Sequence, residues 1–108
     1  MSKQMKREAP DPVAPVTIGS VRYEAPHFAG DVGGTQNGGY ITANDVASGE
    51  RLWTLRVFET IYDPAREQDV QDVFITRLTD LGGGRLQVDD EEGRRHVVDL
   101  ASRAAKPA

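Results

Sequence analysis

The feature that most constrains the fold is an alternation of apolar and polar residues in short runs. The clearest run covers residues 51–62, where apolar side chains recur at every second position, as they do in a β-strand. One face of that strand would present Trp53, Leu55, Val57 and Ile61, and the other face would present Leu52, Phe58 and Tyr62. Apolar residues on both faces predict a central strand that is covered on both sides.

Further runs with strand character are separated by turns rich in glycine or acidic residues. They cover residues 16–24, 39–46, 73–81, 86–88 and 95–100. Because the connections are mostly short and long crossovers are absent, the chain is predicted to be all-β, an antiparallel meander of about six strands. Such a meander can form a curled sheet, a small barrel or a sandwich.

The connection after the third run contains a helix-start signal. Asp63 stands in the N-cap position before Pro64, and Glu67 falls in the first turn. Strand character returns at Val73, so at most one short helical turn is expected near residues 63–70.

The length of 108 residues is sufficient for one domain. Residues 1–14 combine charges and prolines with little apolar content, and residues 101–108 are mostly small. We therefore expect a single β domain over residues 15–100, flanked by disordered tails at 1–14 and 101–108.

Composition and patterning exclude several classes of function. The absence of cysteine excludes disulfides, cysteine-ligated metals and a cysteine nucleophile. With a net charge of −4 and scattered basic residues, the chain is not expected to bind nucleic acid.

No apolar run approaches the ~20 residues that span a bilayer, and no signal-peptide pattern is present, so we expect a cytoplasmic protein without membrane partners. No metal, cofactor or nucleophile motif is present, and no cofactor is expected.

The segment from Gly39 to Trp53 resembles the repeat of quinoprotein-type β-propellers. The residues that match are Ala43, Asp45, Gly49 and Trp53, with Ser48 at the position where the repeat has threonine. The resemblance covers about 15 residues and occurs once. It implies a blade-like hairpin in which glycine shapes the turn and tryptophan packs, and it does not imply quinone binding.

A looser resemblance covers most of residues 39–100. The segment 69–75, with Leu86, Val88 and the pair Glu92-Gly93 after it, is similar to a family of small uncharacterised bacterial proteins that have the same hairpin upstream. That resemblance implies no function and no site residues.

Two segments contain candidate ligand-binding residues. The loop from Gly30 to Gly39 includes Gly33, Gly34 and Thr35 in a pattern similar to the phosphate-binding signature of sugar kinases and actin-like ATPases, whose backbone N–H groups cradle phosphate. His27 precedes this loop and is expected to be exposed.

His96 falls on the apolar face of the last strand, where it is either a packed, hydrogen-bonded side chain or a weak catalytic candidate.

Glu59 is the other weak catalytic candidate, because the strand phase points it to the apolar side. A buried carboxylate is costly unless it is paired, and such groups are enriched at functional sites. The structural alternatives are a bulge, a strand end that is open to water, or a salt bridge to Arg77, which is similarly in phase with apolar neighbours.

The function does not follow from these motifs. The leading hypothesis is a non-enzymatic interaction or structural module, with a protein partner or self-association through aromatic residues such as Tyr40, Phe58 and Tyr62. The alternative is a small-ligand-binding or catalytic domain with its site near the Gly30–Gly39 loop and Glu59, where His27 and Arg77 are further candidates.

Overall fold

A computed structural model describes residues 10–68 and 70–108 and shows an all-β protein. Eight strands form two antiparallel sheets of four strands each. The first sheet contains β1 (Val16–Ile18), β2 (Val21–Glu24), β3 (Tyr40–Asp45) and β4 (Arg51–Arg56). The second sheet contains β5 (Ile75–Gly82), β6 (Arg85–Asp90), β7 (Arg95–Asp99) and β8 (Ala104–Pro107).

Each sheet is a meander, because its strands lie side by side in chain order. The first strands of the two sheets, β1 and β5, are in contact. Neither sheet closes into a barrel. Within the described residues, no helix is long and apolar enough to cross a membrane.

The core lies between the two sheets, since the inner faces of both are apolar. Its buried members come from both sheets and include Tyr23, Ile41, Ala43, Ile75, Leu78, Leu86, Val88 and Val98. The register places polar residues on the opposite faces, among them Arg22, Glu24, Thr54, Gln87, Asp89 and Arg95. This alternation of apolar-in and polar-out residues is that of a two-layer sandwich.

The two sheets contain a structural repeat that the sequence reading missed. The unit β2-β3-β4 matches the unit β5-β6-β7, and β3 residues correspond to β6 residues 45 positions later along the chain. Ala43 pairs with Trp53 as Val88 pairs with His96, and a cross-strand bond from an arginine Nε occurs at the same place in both units. The Val57 N–H donates to Gly39 O at 2.7 Å, just as the Leu100 N–H donates to Gly84 O at 2.9 Å.

The fourth strand of each sheet breaks this symmetry. In the first sheet the additional strand is β1, which lies beside β2. In the second sheet it is β8, which lies beside β7. The two additional strands are therefore on opposite edges of the repeated unit.

The prediction of six strands was wrong in number, for two reasons. The first predicted strand is a hairpin, because Gly19 adopts a φ of +61° and turns the chain between β1 and β2. The stretch 101–108, expected to be a disordered tail, contains β8. Its small side chains hid this strand, whose ordering depends on backbone pairing with β7 more than on apolar burial.

The third predicted strand is shorter than expected and is not central. It ends at Arg56, and β4 lies at the edge of its sheet. The apolar residues beyond Arg56 belong to an irregular segment: Phe58 is buried there, whereas Ile61 is 76% exposed. The period-two pattern thus continued past the end of the strand.

The expected helical turn near residues 63–70 is a hydrogen-bonded turn, in which the Arg66 N–H donates to Asp63 O. Asp63 does accept a bond from the Ala65 N–H at 2.9 Å, as an N-cap residue would. A 3-10 turn occurs instead at Ala29–Asp31. Residues 1–9 of the predicted N-terminal tail lie outside the described residues. Asp69, in the segment of the expected helical turn, also lies outside them.

Candidate functional site

A cleft with a volume of about 620 Å³ opens at one end of the sandwich. Its walls come from the segment after β4, the segment before β5 and the turn between β6 and β7. The lining residues used below are Glu59, Thr60, Ile61, Asp72, Glu92 and Arg94. The cleft therefore lies where irregular segments of both halves of the chain meet.

One buried glutamine positions the first wall. The Gln36 Nε2 group donates to the carbonyl oxygens of Gly38 and Phe58, both at 2.9 Å. Its Oε1 atom accepts the Thr60 N–H at 2.8 Å. These bonds satisfy backbone groups beyond the end of β4, where no strand pairing is available. Gln36 thus holds the segment 58–60 in its irregular path.

A second network joins the glycine-rich loop to the segment before β5. Asn37 Oδ1 accepts the Ala29 N–H at 2.8 Å, and Asn37 Nδ2 donates to Asp72 Oδ2 at 3.1 Å. The Tyr62 hydroxyl donates to Asp72 Oδ1 at 2.6 Å. Asp72 is buried, so its carboxylate depends on such donors. Desolvation and the Asp72 carboxylate together raise the pKa of Tyr62 to about 12.

This shift is testable by ultraviolet titration of the three tyrosines. We expect one tyrosine to ionise near pH 12, and we expect Tyr62→Phe to remove that transition. Because the folded-state pKa lies above the ordinary value of about 10, the interaction stabilises the fold fully below pH 10 and is lost as the pH rises towards 12. A Tyr62→Phe protein that retains the late transition would contradict the assignment.

The opposite wall is supported by a buried carboxylate in the turn between β6 and β7. Asp90 Oδ1 accepts the N–H groups of Glu92 and Arg94 at 2.9 and 3.1 Å. Asp90 Oδ2 lies 2.8 Å from Arg94 Nε and 2.9 Å from His96 Nε2. The His96 ring and the Arg94 guanidinium each contact the Phe58 ring at 5.0 Å. One carboxylate therefore ties the turn to the core.

Two opposing effects set the pKa of Asp90. Desolvation acts to raise it, but hydrogen bonds from His96, the Arg94 backbone and side chain, and the Glu92 N–H outweigh burial and lower the pKa below its ordinary value. The carboxylate is therefore ionised at neutral pH. Because a carboxylate only accepts hydrogen bonds, His96 Nε2 is the donor in this bond.

The glycine-rich loop packs against the body of the protein. A Cβ on Gly34 would lie 2.4 Å from the Tyr40 ring, and the Thr35 N–H donates to the Tyr40 hydroxyl at 3.0 Å. Gly38 and Gly39 are buried at positive φ values. The candidates Gly33, Gly34 and Thr35 do not line the cleft. The loop acts on the cleft through its next residues, Gln36 and Asn37.

The structure separates the other sequence candidates. Glu59 lines the cleft and is exposed, because it follows the strand end and is open to water. Arg77 is also exposed, since the register of β5 shifts between Ile75 and Arg77 and reverses the phase there. Of the three structural alternatives for Glu59, the strand end that is open to water is therefore the one observed. Tyr40 and Phe58, expected at the surface, are buried.

The two histidines lie in different surroundings. His96 is buried and hydrogen-bonded, as the structural interpretation of its strand face predicted. His27 is half-buried, its Nε2 atom lies 2.8 Å from Asp11 O, and its ring packs edge-on against Phe74 at 5.0 Å. Its Nδ1 atom is buried without a hydrogen-bond partner among the described residues.

Gln36, Asn37 and Asp72, which shape the cleft, were not among the site residues predicted from the sequence. A glutamine and an asparagine inside a glycine-rich loop were the available signal, since amide side chains commonly replace missing backbone partners there. In the part of the chain that the structure describes, no three acidic or histidine side chains form a group that could hold a metal ion. No protein-family model matches the chain, and no match to a curated protein was found.

Proposed function

We propose that this chain is a non-enzymatic protein-interaction module and that the cleft is its binding surface. The observation on which this proposal depends is Ile61, a large aliphatic side chain that is 76% exposed at the cleft. Val70, also exposed, lines the same cleft. Exposed apolar side chains within a concave, polar-rimmed surface are typical of protein-binding sites.

The charges around Ile61 indicate the kind of segment that would bind. Glu59 and Glu92 are exposed at the cleft. Arg94 is bonded to the Asp90 carboxylate and lies 3.8 Å from Glu92, and Arg66 also lines the cleft. Because the four lining carboxylates (Glu59, Asp72, Glu91 and Glu92) outnumber these two arginines, the charge presented to a partner is mainly negative. We expect a partner segment with an apolar side chain for Ile61 and a basic side chain for Glu59 or Glu92.

The environment of the candidate catalytic groups supports a non-enzymatic role. The buried histidine–carboxylate pair of Asp90 and His96 resembles part of a catalytic arrangement. The Asp90 carboxylate accepts hydrogen bonds from two backbone N–H groups and from Arg94, so it stabilises the turn between β6 and β7. His96 is stacked on Phe58, which covers the ring on one side.

A second function, binding of a small ligand, is favoured by one observation. Thr60 lines the cleft, and its Oγ1 atom is buried without a hydrogen-bond partner among the described residues. A ligand that bonds to this hydroxyl would stabilise the fold by about 2.7 kcal/mol at one hundred times its dissociation constant. Thermal unfolding with nucleotides, sugar phosphates and quinones tests it, and Thr60→Val should abolish any shift.

The interaction proposal is tested by selecting peptides from a phage-displayed random library on the immobilised protein. We expect enrichment of peptides that combine apolar and basic residues. Synthetic versions should lose at least tenfold in affinity for Ile61→Ser and for Glu59→Lys, because these changes remove the apolar contact and the negative charge.

Leu81→Ser is the matched control, since Leu81 is an exposed aliphatic residue near the end of β5 and does not line the cleft. It should leave the affinity unchanged. Peptides that bind Ile61→Ser as tightly as the unchanged protein would exclude the cleft as the binding surface.

A further inference from the structure

The repeat reveals an edge in the first sheet that has no strand, although its counterpart in the second sheet has one. In the second sheet, β8 pairs with β7, with Val97 opposite Lys106 and Asp99 opposite Ala104. By the matched registers, Thr54 corresponds to Val97 and Arg56 corresponds to Asp99. No strand of the described residues lies beyond β4.

The hydrogen-bond phase shows which groups this edge presents. The Val57 N–H donates to Gly39 O, so the backbone groups of Val57, Leu55 and Trp53 point towards β3. The alternate residues Thr54 and Arg56 therefore direct their N–H and C=O groups away from the sheet. We name these outward groups the β4 edge. Their counterparts in β7 are bonded to β8.

The charge of the β4 edge is opposite to that of the protein as a whole. The chain has a net charge of −4, whereas β4 begins with Arg51, ends with Arg56 and contains no acidic residue. A third cation, Arg103, stands with its Cζ atom 5.2 Å from the Trp53 ring. Among the described residues none of these arginines forms an ion pair, and the Arg51 guanidinium donates to the neutral acceptors Asn44 Oδ1 and Asp31 O. In β7, the position of Arg56 is taken by Asp99, and the strand that pairs there brings Lys106.

From these observations we infer that the β4 edge is a strand-addition site for an acidic extended segment of a partner protein. The backbone of the segment takes the place that β8 has beside β7, and its acidic side chains lie beside Arg51 and Arg56. Main-chain bonds supply affinity in such additions, and alternate side chains supply specificity. The inference rests on the proposed interaction role but uses a surface separate from the cleft.

The probe is a capped seven-residue peptide of alternating glutamate and valine, labelled for fluorescence anisotropy, with a lysine–valine peptide as the opposite charge. We expect the acidic peptide to bind and the basic peptide to bind at least tenfold more weakly. Thr54→Pro should reduce binding at least tenfold, because proline removes the outward N–H while the bonds to β3 remain.

Arg56→Glu is the second variant, since it changes no backbone group and should reverse the preference between the two peptides. Leu81→Ser, at an exposed position of the second sheet, is the matched control, and binding to it should be unchanged. Failure of the acidic peptide to bind, or equal binding to Thr54→Pro, overturns the inference and leaves the cleft experiment unaffected. A dimer in light scattering that Thr54→Pro converts to a monomer would also overturn it, because the edge would then belong to a second copy.

Discussion

Gly38→Ala is expected to unfold the protein or to lower its free energy of unfolding by more than about 4 kcal/mol. A Cβ on Gly38 would lie 2.2 Å from the carbonyl oxygen of Val73, and the backbone φ is +78°. The Gly38 backbone cannot move away from Val73 easily, because its N–H donates to His27 O at 2.7 Å. Urea denaturation at neutral pH measures the change.

The matched control is Gly33→Ala in the same loop. Gly33 also has a positive φ, of +67°, but no atom lies within 4 Å of its added Cβ. Only the left-handed conformation is then penalised, which costs about 1–2 kcal/mol. Equal losses for the two variants would show that backbone conformation alone requires the glycine and that the close approach to Val73 is unimportant.

Asp90→Ala is expected to cost about 3 kcal/mol or more. The Asp90 side chain is completely buried, and its removal leaves two backbone N–H groups, the Arg94 Nε and the His96 Nε2 without their acceptor. Asp45→Ala is the control supplied by the repeat, because Asp45 has the same place in the first hairpin. Among the described residues the Asp45 side chain bonds only to Ser48, at the surface, so a much smaller loss is expected.

The pH dependence tests the same carboxylate. Because the folded-state pKa of Asp90 is lowered, its contribution to stability is present above the unfolded pKa of about 3.9 and is lost as the pH falls through the folded value. The difference in unfolding free energy between the unchanged protein and Asp90→Asn should therefore shrink below about pH 4. A difference that stays constant down to pH 2 would mean that the ionised form is not what stabilises the turn.

The sequence was sufficient for the all-β class and for most strand positions, because the alternation and the turn glycines are local signals. It failed where backbone pairing or side-chain bonds decide the structure. β8 has almost no apolar pattern and forms on β7, while β4 stops at Arg56 because Gln36 takes over the backbone groups that follow. Pairing between strands distant in the chain is invisible to periodicity.

The cleft was predictable only in part. Glu59 lines the cleft, but its predicted position on the apolar side relied on a strand phase that ends three residues earlier. Gln36 and Asn37 act across 22 and 35 positions of the chain, which no local pattern reveals. The repeat was visible in principle, since Gly39 to Asp45 and Gly84 to Asp90 share glycine, aliphatic and aspartate positions.

The polar outer faces of the sandwich limit how copies of this fold can grow. A third sheet stacked on either face would have to bury groups such as Arg22 and Glu24 or Asp89 and Arg95, which already pair with each other at the surface. Desolvation of such pairs gains little or nothing. Stacking of further sheets is therefore unfavourable beyond two. Other chains can add only at the edge strands, where backbone hydrogen bonds align the added strand with the sheet.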